Sequence, residues 1–457
     1  MHAWTPAAAA TNALPLIAVD RNQLAASLDA LGSNARSWVE ANAFRADAGS
    51  FLALPDAAGG ISAVLAGCDP QQGPFALATL PRRLPPGDYR LDPRGLALDA
   101  EDAALGWALG NYRFARYRTP AAPAARLVVD ADIIARVTPL ADAACRVRDL
   151  VNTPTEDMGP AELAGAVRAL AERHAAEYRE WVGEDLLAAN FPTIHAVGRA
   201  SHRAPRLAVL EAGPADAPHL VLVGKGVCFD TGGLDIKSAE GMRWMKKDMG
   251  GAAHAIALAG LVLDARLPVR LTLLVPAVEN AIAGNAMRPG EVIRSRAGLS
   301  IEVDNTDAEG RLILCDALAY AGELEPDLIL DFATLTGAAR VALGPDLPAL
   351  FANREDLANG LLAAAAASGD PLWRMPLWRP YLTLLESHVA DLANAGPSRH
   401  AGAITAALYL ERFVPQDQAW AHLDVYAWND ADKPGRPRGG EAQGLRAYFR
   451  FLQQRYG

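Results

Sequence analysis

A chain of 457 residues is long enough for two or three domains, each with its own core. Hydrophobic residues make up 51% of it and charged residues 21%, which excludes wholesale disorder. With 43 basic against 53 acidic side chains the formal charge is −10, so no chain-wide electrostatic grip on nucleic acid is available.

The start, Met1-His2-Ala3-Trp4-Thr5-Pro6, lacks the basic region and apolar core of a signal peptide. No run approaches the roughly 18 to 20 apolar residues that span a bilayer. A cytoplasmic protein with no membrane partner is therefore expected. Cys68, Cys145, Cys228 and Cys315 are scattered with no C-x-x-C pair, which fits a reducing compartment and offers neither a zinc knuckle nor a disulfide framework.

Leu24 to Phe44 has helical spacing, Ile61 to Gly67 reads as a strand and Asp102 to Tyr117 again as a helix, which makes a small α/β unit. Pro81 to Pro86 is a turn region, and the Pro/Ala stretch from Thr119 to Ala125 reads as a domain edge. Ile134, Val137, Leu140, Ala144 and Val147 share one face of a helix that runs into Asn152-Thr153-Pro154, where the residue before proline is pushed out of the α region. Gly159-Pro160 opens another helix, expected to reach about Tyr178.

Beyond this point strand and helix alternate. Leu220 to Val223, Leu271 to Val275 and Leu328 to Leu330 are apolar runs of strands buried on both faces, and Ala252 to Leu263 and Leu312 to Ala321 read as helices. The expected fold class is α/β: a smaller N-terminal α/β domain (residues 1–125), a linker and connecting helix (126–155), and a larger catalytic domain (156–457). That last domain is expected to hold a mostly parallel mixed sheet covered by helices on both faces. Ligands of such sheets bind beyond the carboxyl ends of the strands.

Two acid-bearing loops lie there. The first, Gly224-Lys225-Gly226-Val227-Cys228-Phe229-Asp230-Thr231-Gly232-Gly233-Leu234-Asp235-Ile236-Lys237, has four glycines in its first ten residues, which implies unusual backbone angles or close approach of a ligand. It is neither a P-loop nor a dinucleotide fingerprint. Asp248 follows, just ahead of a helix. The second loop, Asp304-Asn305-Thr306-Asp307-Ala308-Glu309-Gly310-Arg311, follows the alternating strand Ser300 to Val303. In an extended segment Asp307 and Glu309 aim at one spot, and Arg311 continues that sense before a helix beginning at Leu312.

A single loop acid is more often solvated or a helix cap than a metal ligand, and Asp248 and Asp307 could each cap the helix that follows. Lys246 and Lys247 read as surface charges, and Lys237 and Arg311 can be read so too. Several acids gathered at strand ends are harder to explain this way, because packed like charges need a counterion. The four charges of Asp230, Asp248, Asp307 and Glu309 would be neutralised by a pair of divalent cations. No H-E-x-x-H or G-x-S-x-G motif competes; His254 and His422 read as packed core residues, and Cys228 and Cys315 as core thiols.

At these residues the sequence resembles the leucyl (cytosol) aminopeptidase family. Asn305-Thr306-Asp307-Ala308-Glu309-Gly310-Arg311-Leu312 matches the family's signature octapeptide in full. Val223-Gly224-Lys225-Gly226, Phe229-Asp230-x-Gly232-Gly233, Met245-Lys246-x-Asp248-Met249-Gly250-Gly251-Ala252-Ala253 and Ala333-Thr334-Leu335-Thr336-Gly337-Ala338 match in the family's order. Agreement extends over roughly residues 147 to 430, including Arg148 to Pro154.

The resemblance implies a two-metal exopeptidase that removes the N-terminal residue from peptides. Lys225, Asp230, Asp248 and Glu309 would hold the tighter ion; Asp230, Asp307 and Glu309 would hold the more exchangeable one. A water bridging the ions would attack the first peptide carbonyl. Lys237 would stabilise the oxyanion, and Arg311 would hold a bicarbonate that shuttles the proton. Met245, Thr334, Leu335 and Gly337 would line a side-chain pocket favouring apolar residues such as leucine. Zn²⁺ or Mn²⁺ is the expected metal, with Mg²⁺ or Co²⁺ as alternatives. A homohexamer is also implied.

Three positions depart from the family pattern: Asp235 where serine is common, Ser238 where proline often follows the lysine, and Tyr426 where some members have a small pocket residue. A carboxylate two-metal phosphoesterase would also use oxygen ligands, but a lysine among the ligands and the ordered motifs weigh against it. A DNA-binding role, found in some bacterial relatives, is opposed by the charge of −10. A catalytically inactive scaffold is opposed by the filling of every ligand position.

Overall fold

The computed structural model describes residues 3–119, 122 and 124–457. Met1 and His2 at the start, and Pro120, Ala121 and Pro123 of the Pro/Ala stretch, lie outside the described residues. The chain divides into two compact units, Met1–Cys145 with Asn429–Arg438, and Arg146–Trp428 with Gly439–Gly457.

The first unit holds a six-stranded sheet made of β1 (Trp4–Pro6), β2 (Leu14–Val19), β3 (Phe51–Pro55), β4 (Ile61–Gly67), β5 (Gly87–Leu91) and β6 (Ala125–Val129), in the order β1-β6-β5-β2-β4-β3. Only the β3–β4 pairing is antiparallel. Ile17, Val19, Leu54 and Leu65 close a core against Leu28 and Val39 of the two short helices. The expected single helix over 24–44 is those two, Leu24–Leu31 and Ser33–Ala41, broken at Gly32, whose φ of 89° lies outside the helical region. The helix expected over 102–117 starts at Ala100 under an Asp99 cap and ends at Asn111. From here a 22-residue helix, Ala131–Asn152, leads into the second unit and stops ahead of Pro154.

The second unit is built on a mixed sheet. Its strands are β7 (Glu177–Val182), β8 (Arg206–Ala212), β9 (His219–Gly224), β10 (Gly226–Asp230) and β11 (Arg270–Asn280). The strands β12 (Val292–Arg294) and β13 (Ser300–Glu302) then belong to a small separate sheet. The main sheet resumes with β14 (Leu328–Ala333), β15 (Ala349–Ala352) and β16 (Trp373–Arg374); β17 (Leu392–Ala393) completes the small sheet, and β18 (Trp420–Asp424) the large one. Along β18-β14-β9-β11 all neighbours are parallel, and β8, β7 and β15 add antiparallel pairings outside them.

Strand alternation explains the continuous apolar runs. Val221, Val223, Leu274 and Ile329 share one core with Ile194, Leu312, Ile313 and Tyr409, which come from the helices Pro192–Gly198, Glu309–Glu323 and Gly402–Glu411. Leu220, Leu222, Leu273 and Leu330, alternate to these, are equally buried, and the helices Pro160–Arg173 and Gly250–Asp264 pack on these strands. The helix opened by Pro160 ends at Arg173 rather than near residue 178; the E-Y-R-E-W-V stretch that follows is the edge strand β7, antiparallel to β8. Among the described residues no disulfide joins the four cysteines. No helix among the described residues is long and apolar enough to cross a membrane.

Candidate metal centre

β9 and β10 are one line of chain along β11, interrupted at Lys225. There the Lys225 N–H turns to the carbonyl of Phe332 (3.0 Å), and its own carbonyl accepts from Ala252 (2.8 Å). This break leaves the Lys225 side chain inside the protein, 2% exposed, beyond the end of the sheet. Its Nζ lies 2.7 Å from Asp248 Oδ2 and 3.0 Å from Glu309 Oε1, and donates to the carbonyl of Thr334 at 2.9 Å.

Asp230 ends β10. Its Oδ1 accepts from Gly232 N and from Asn280 Nδ2, the last residue of β11, and its Oδ2 lies 2.8 Å from Lys237 Nζ. Gly232 and Gly233, with φ of 86° and 64°, fold the loop back so that Lys237 also pairs with Asp307. Asp230, Asp307 and Glu309 each offer an oxygen within 4.8 Å of the others.

The acids converge by a route other than an extended segment. Residues 304–308 form a turn, Glu309 opens the helix Glu309–Glu323, and Arg311 is already inside it. Neither Asp248 nor Asp307 caps a helix: the caps are the backbones of Met249 and Ala308, with no side-chain bond. Lys246 and Lys247 are not surface charges. Lys246 Nζ donates to the Asn152 carbonyl at 2.5 Å, and Lys247 is buried.

Of the remaining candidates, Arg311 is buried, with Nη1 on the carbonyl of Asn394 (2.6 Å) and Nε without a hydrogen-bond partner among the described residues. Thr334 Oγ1 donates to Asp248 Oδ1 at 2.8 Å, and the carbonyl of Met245 accepts from Asp248 N. Leu335 N is held by Asp424 Oδ1, and Gly337 begins the next helix. His254 and His422 are core residues bonded to Gly250 and Asp331. Asp235 spends its carboxylate on the N–H and hydroxyl of Thr306.

Sequence reasoning missed three supports. Asn280 closes the apolar run of β11 as Asp230 closes β10, so the strand-end rule could have found it. Asn394 fastens the acid loop through Asp304 N, Asn305 N and the carbonyls of Asn305 and Ala308, and Asp424 fastens the 334–336 loop; no local pattern marks either role.

The electrostatics are those of a site short of positive charge. Burial alone would lower the Lys225 and Lys237 ammoniums, but the carboxylates around them hold both well above the ordinary lysine value. Two ammoniums cannot balance four carboxylates. Burial, with Asp230 beside them, accordingly pushes Asp307 up to about 6 and Glu309 well above the usual carboxylate range. Asp248 Oδ2 and Asp307 Oδ1 are buried without a hydrogen bond of good geometry, facing only an ammonium. Unsatisfied buried carboxylate oxygens, grouped with an amine nitrogen, are the donor set of a hard or borderline dication. The residues present fit divalent metal.

A doubly covered α/β sheet with such a centre at the carboxyl ends of its parallel strands defines a metal-dependent enzyme. Comparison with known proteins is specific. The catalytic-domain model of the cytosol aminopeptidase family matches residues 145–449, and that of the M17 aminopeptidase N-terminal domain matches residues 14–130. A probable cytosol aminopeptidase of Roseiflexus castenholzii is 41% identical over 367 residues, covering 76% of this chain and 75% of that one. The crystal structure of the cytosol aminopeptidase from Coxiella burnetii superposes with a TM-score of 0.95 at 48% identity, over 98% of each chain. The bottromycin maturation enzyme BotP in complex with Mn superposes with a TM-score of 0.87 at 32% identity, over 98% of this chain and 100% of that one. The chain belongs to the cytosol aminopeptidase family. It is a metal-dependent aminopeptidase acting on peptides with divalent metal cofactors.

Proposed function

We propose that the enzyme removes an apolar, leucine-like N-terminal residue from peptides, using two divalent ions, zinc or manganese, held by Lys225, Asp230, Asp248, Asp307 and Glu309. The observation that carries this is the convergence of Asp230, Asp307 and Glu309 oxygens within 4.8 Å, with Lys225 wedged between Asp248 and Glu309. When bound, the ions would supply Lewis acidity and make an attacking water acidic enough to ionise near neutral pH.

The chain's own residues do the rest. Lys225 would release to solvent the proton that now bonds it to Asp248, which would free its lone pair as a ligand. Lys237 keeps its charge and stabilises the oxygen of the scissile carbonyl as it becomes negative. Arg311, buried with Nε uncommitted among the described residues, would hold a bicarbonate, which would supply a proton carrier for the leaving amine. Met245, Thr334, Leu335 and Gly337 bound the space for the substrate side chain.

We also place the enzyme in the cytoplasm as a homohexamer, and divide it into an N-terminal domain (1–125), a linker with the connecting helix (126–155) and a catalytic domain (156–457). The test is chelation followed by add-back of single metals, read on a panel of aminoacyl-p-nitroanilides with metal content measured in parallel. The expectation is loss of leucyl-p-nitroanilide cleavage on chelation and its return at about two ions per chain. Full activity in metal-free protein would overturn the reading.

A further inference from the structure

Beside the metal centre the ends of β14 and β18 run together, with Val425 N donating to the carbonyl of Ala333 at 2.8 Å. Asp424 and Tyr426 therefore lie along the loop that carries Thr334 to Lys225 and Asp248. A shallow, solvent-open cleft is lined by Thr336, Asp424 and Tyr426 of these strand ends and by Arg340 of the helix Gly337–Leu343.

Most polar groups in this cleft are already committed. The Asp424 carboxylate accepts from Leu335 N, Thr336 N and Thr336 Oγ1. Gln443 accepts from Tyr426 N and Ala427 N and donates to the carbonyl of Pro345. Arg340 is different. It is exposed, it donates only Nη1, to the Tyr426 hydroxyl at 2.9 Å, and no carboxylate pairs with it among the described residues. Its guanidinium carbon stands 4.8 Å from the Tyr426 ring centre, as does the Nζ of Lys247. Lys247 is 6% exposed and, among the described residues, makes neither a hydrogen bond nor an ion pair. Two cations thus flank one tyrosine beside the site; Lys247 feels the charges of Asp248 and Asp424 at longer range, whereas Arg340 has no carboxylate partner among the described residues.

An unmatched guanidinium with Nε and Nη2 uncommitted is a fork suited to a planar carboxylate. We infer that this cleft binds a carboxylate of the peptide substrate and that Arg340 is the residue that recognises it. The inference rests on the aminopeptidase reading above and adds to it a substrate class that an apolar pocket alone would reject. The carboxylate comes either from an acidic N-terminal side chain or from the C-terminus of a dipeptide.

The test compares kcat/KM of the metal-loaded enzyme on two matched pairs, glutamyl- against glutaminyl-p-nitroanilide and Leu-Gly against Leu-Gly amide, with leucyl-p-nitroanilide as reference. One pair is expected to favour the carboxylate about tenfold, chiefly through KM, and which pair does so identifies the source. That ratio falls to about one in Arg340→Gln, is partly kept in Arg340→Lys, and shrinks with added salt in the wild type. Ratios near one for both pairs in the wild type, or a ratio that survives Arg340→Gln, overturn the inference while leaving the aminopeptidase intact. If the variant does not fold, the wild-type ratios and their salt dependence decide alone. Failure to cleave leucyl-p-nitroanilide itself would remove both readings.

Discussion

Lys225 passes so close to Gly310 that a Cβ at position 310 would lie 2.4 Å from Lys225 Cε and 2.7 Å from Nζ. The glycine between Glu309 and Arg311 is there for the lysine, not for a turn: it lies in the first turn of a helix, where alanine would otherwise be the better residue. Gly310→Ala is expected to displace the amine, lower kcat/KM at least tenfold and weaken metal retention through gel filtration, with an unchanged far-UV circular dichroism spectrum. Wild-type turnover and metal content in that variant would show that Lys225 takes no part in metal binding.

Asp307→Asn is expected to remove more than 99% of turnover and to leave the fold intact, since its side chain is 34% exposed and it caps no helix. The pH dependence gives an independent check. Burial and the neighbouring Asp230 raise this carboxyl to about 6 in the metal-free protein. A raised carboxyl contributes stability that is complete below its unfolded value and is lost as pH rises through about 6. Metal-free wild type should therefore lose more melting temperature between pH 5 and pH 7.5 than metal-free Asp307→Asn. Equal slopes in differential scanning fluorimetry would contradict the crowding of carboxylates on which the metal assignment rests.

Asp424 acts on the site through the 334–336 loop, accepting from Leu335 N at 3.0 Å, Thr336 N at 3.3 Å and Thr336 Oγ1 at 2.7 Å. Asp424→Ala leaves these donors unsatisfied and frees the loop whose Thr334 carbonyl accepts from Lys225. We expect KM for leucyl-p-nitroanilide to rise five- to tenfold with a smaller fall in kcat. Asp424→Asn keeps an acceptor oxygen and should recover most of the loss; if both variants behave alike, loop positioning is not the role of this residue.

His422 and Asp331 form a fully buried pair at 2.5 Å between β18 and β14, and Trp420 Nε1 donates to the other carboxylate oxygen. Burial works against the imidazolium, but the Asp331 charge and hydrogen bond outweigh it and raise the histidine above its ordinary value. A raised histidine contributes stability that is complete below about 6.5 and is lost as pH climbs through its folded value. His422→Gln should thus cost about 3–5 kcal/mol at pH 6 and less at pH 9, read as urea midpoints across that range. A cost that grows with pH would mean that the histidine is neutral in the fold.

Much of the fold was legible because the chain is locally consistent. The runs at Leu220, Leu271 and Leu328 are strands, and the ordered motifs lie at their carboxyl ends. Errors fell where two local patterns compete. The E-Y-R-E-W-V segment continues a helical spacing but pairs as an edge strand, and the long first helix is cut by one glycine with positive φ. Lys247 was misread because charge predicts exposure unless an aromatic face is available, and here the ring of Tyr426 is 4.8 Å away.

The sequence by itself determined which acids and which lysine would gather, and in what order along the chain, and it placed glycines beside them. It could do so because strand ends and tight loops are written in local patterns of a few residues. Only the tertiary structure decided how the charges are shared. Lys225 lies between Asp248 and Glu309, Lys237 between Asp230 and Asp307, and Arg340 and Lys247 meet at Tyr426 without an ion pair among the described residues. Those pairings join residues tens of positions apart, and electrostatic energy depends on distance in space and on burial, neither of which is encoded in neighbouring letters.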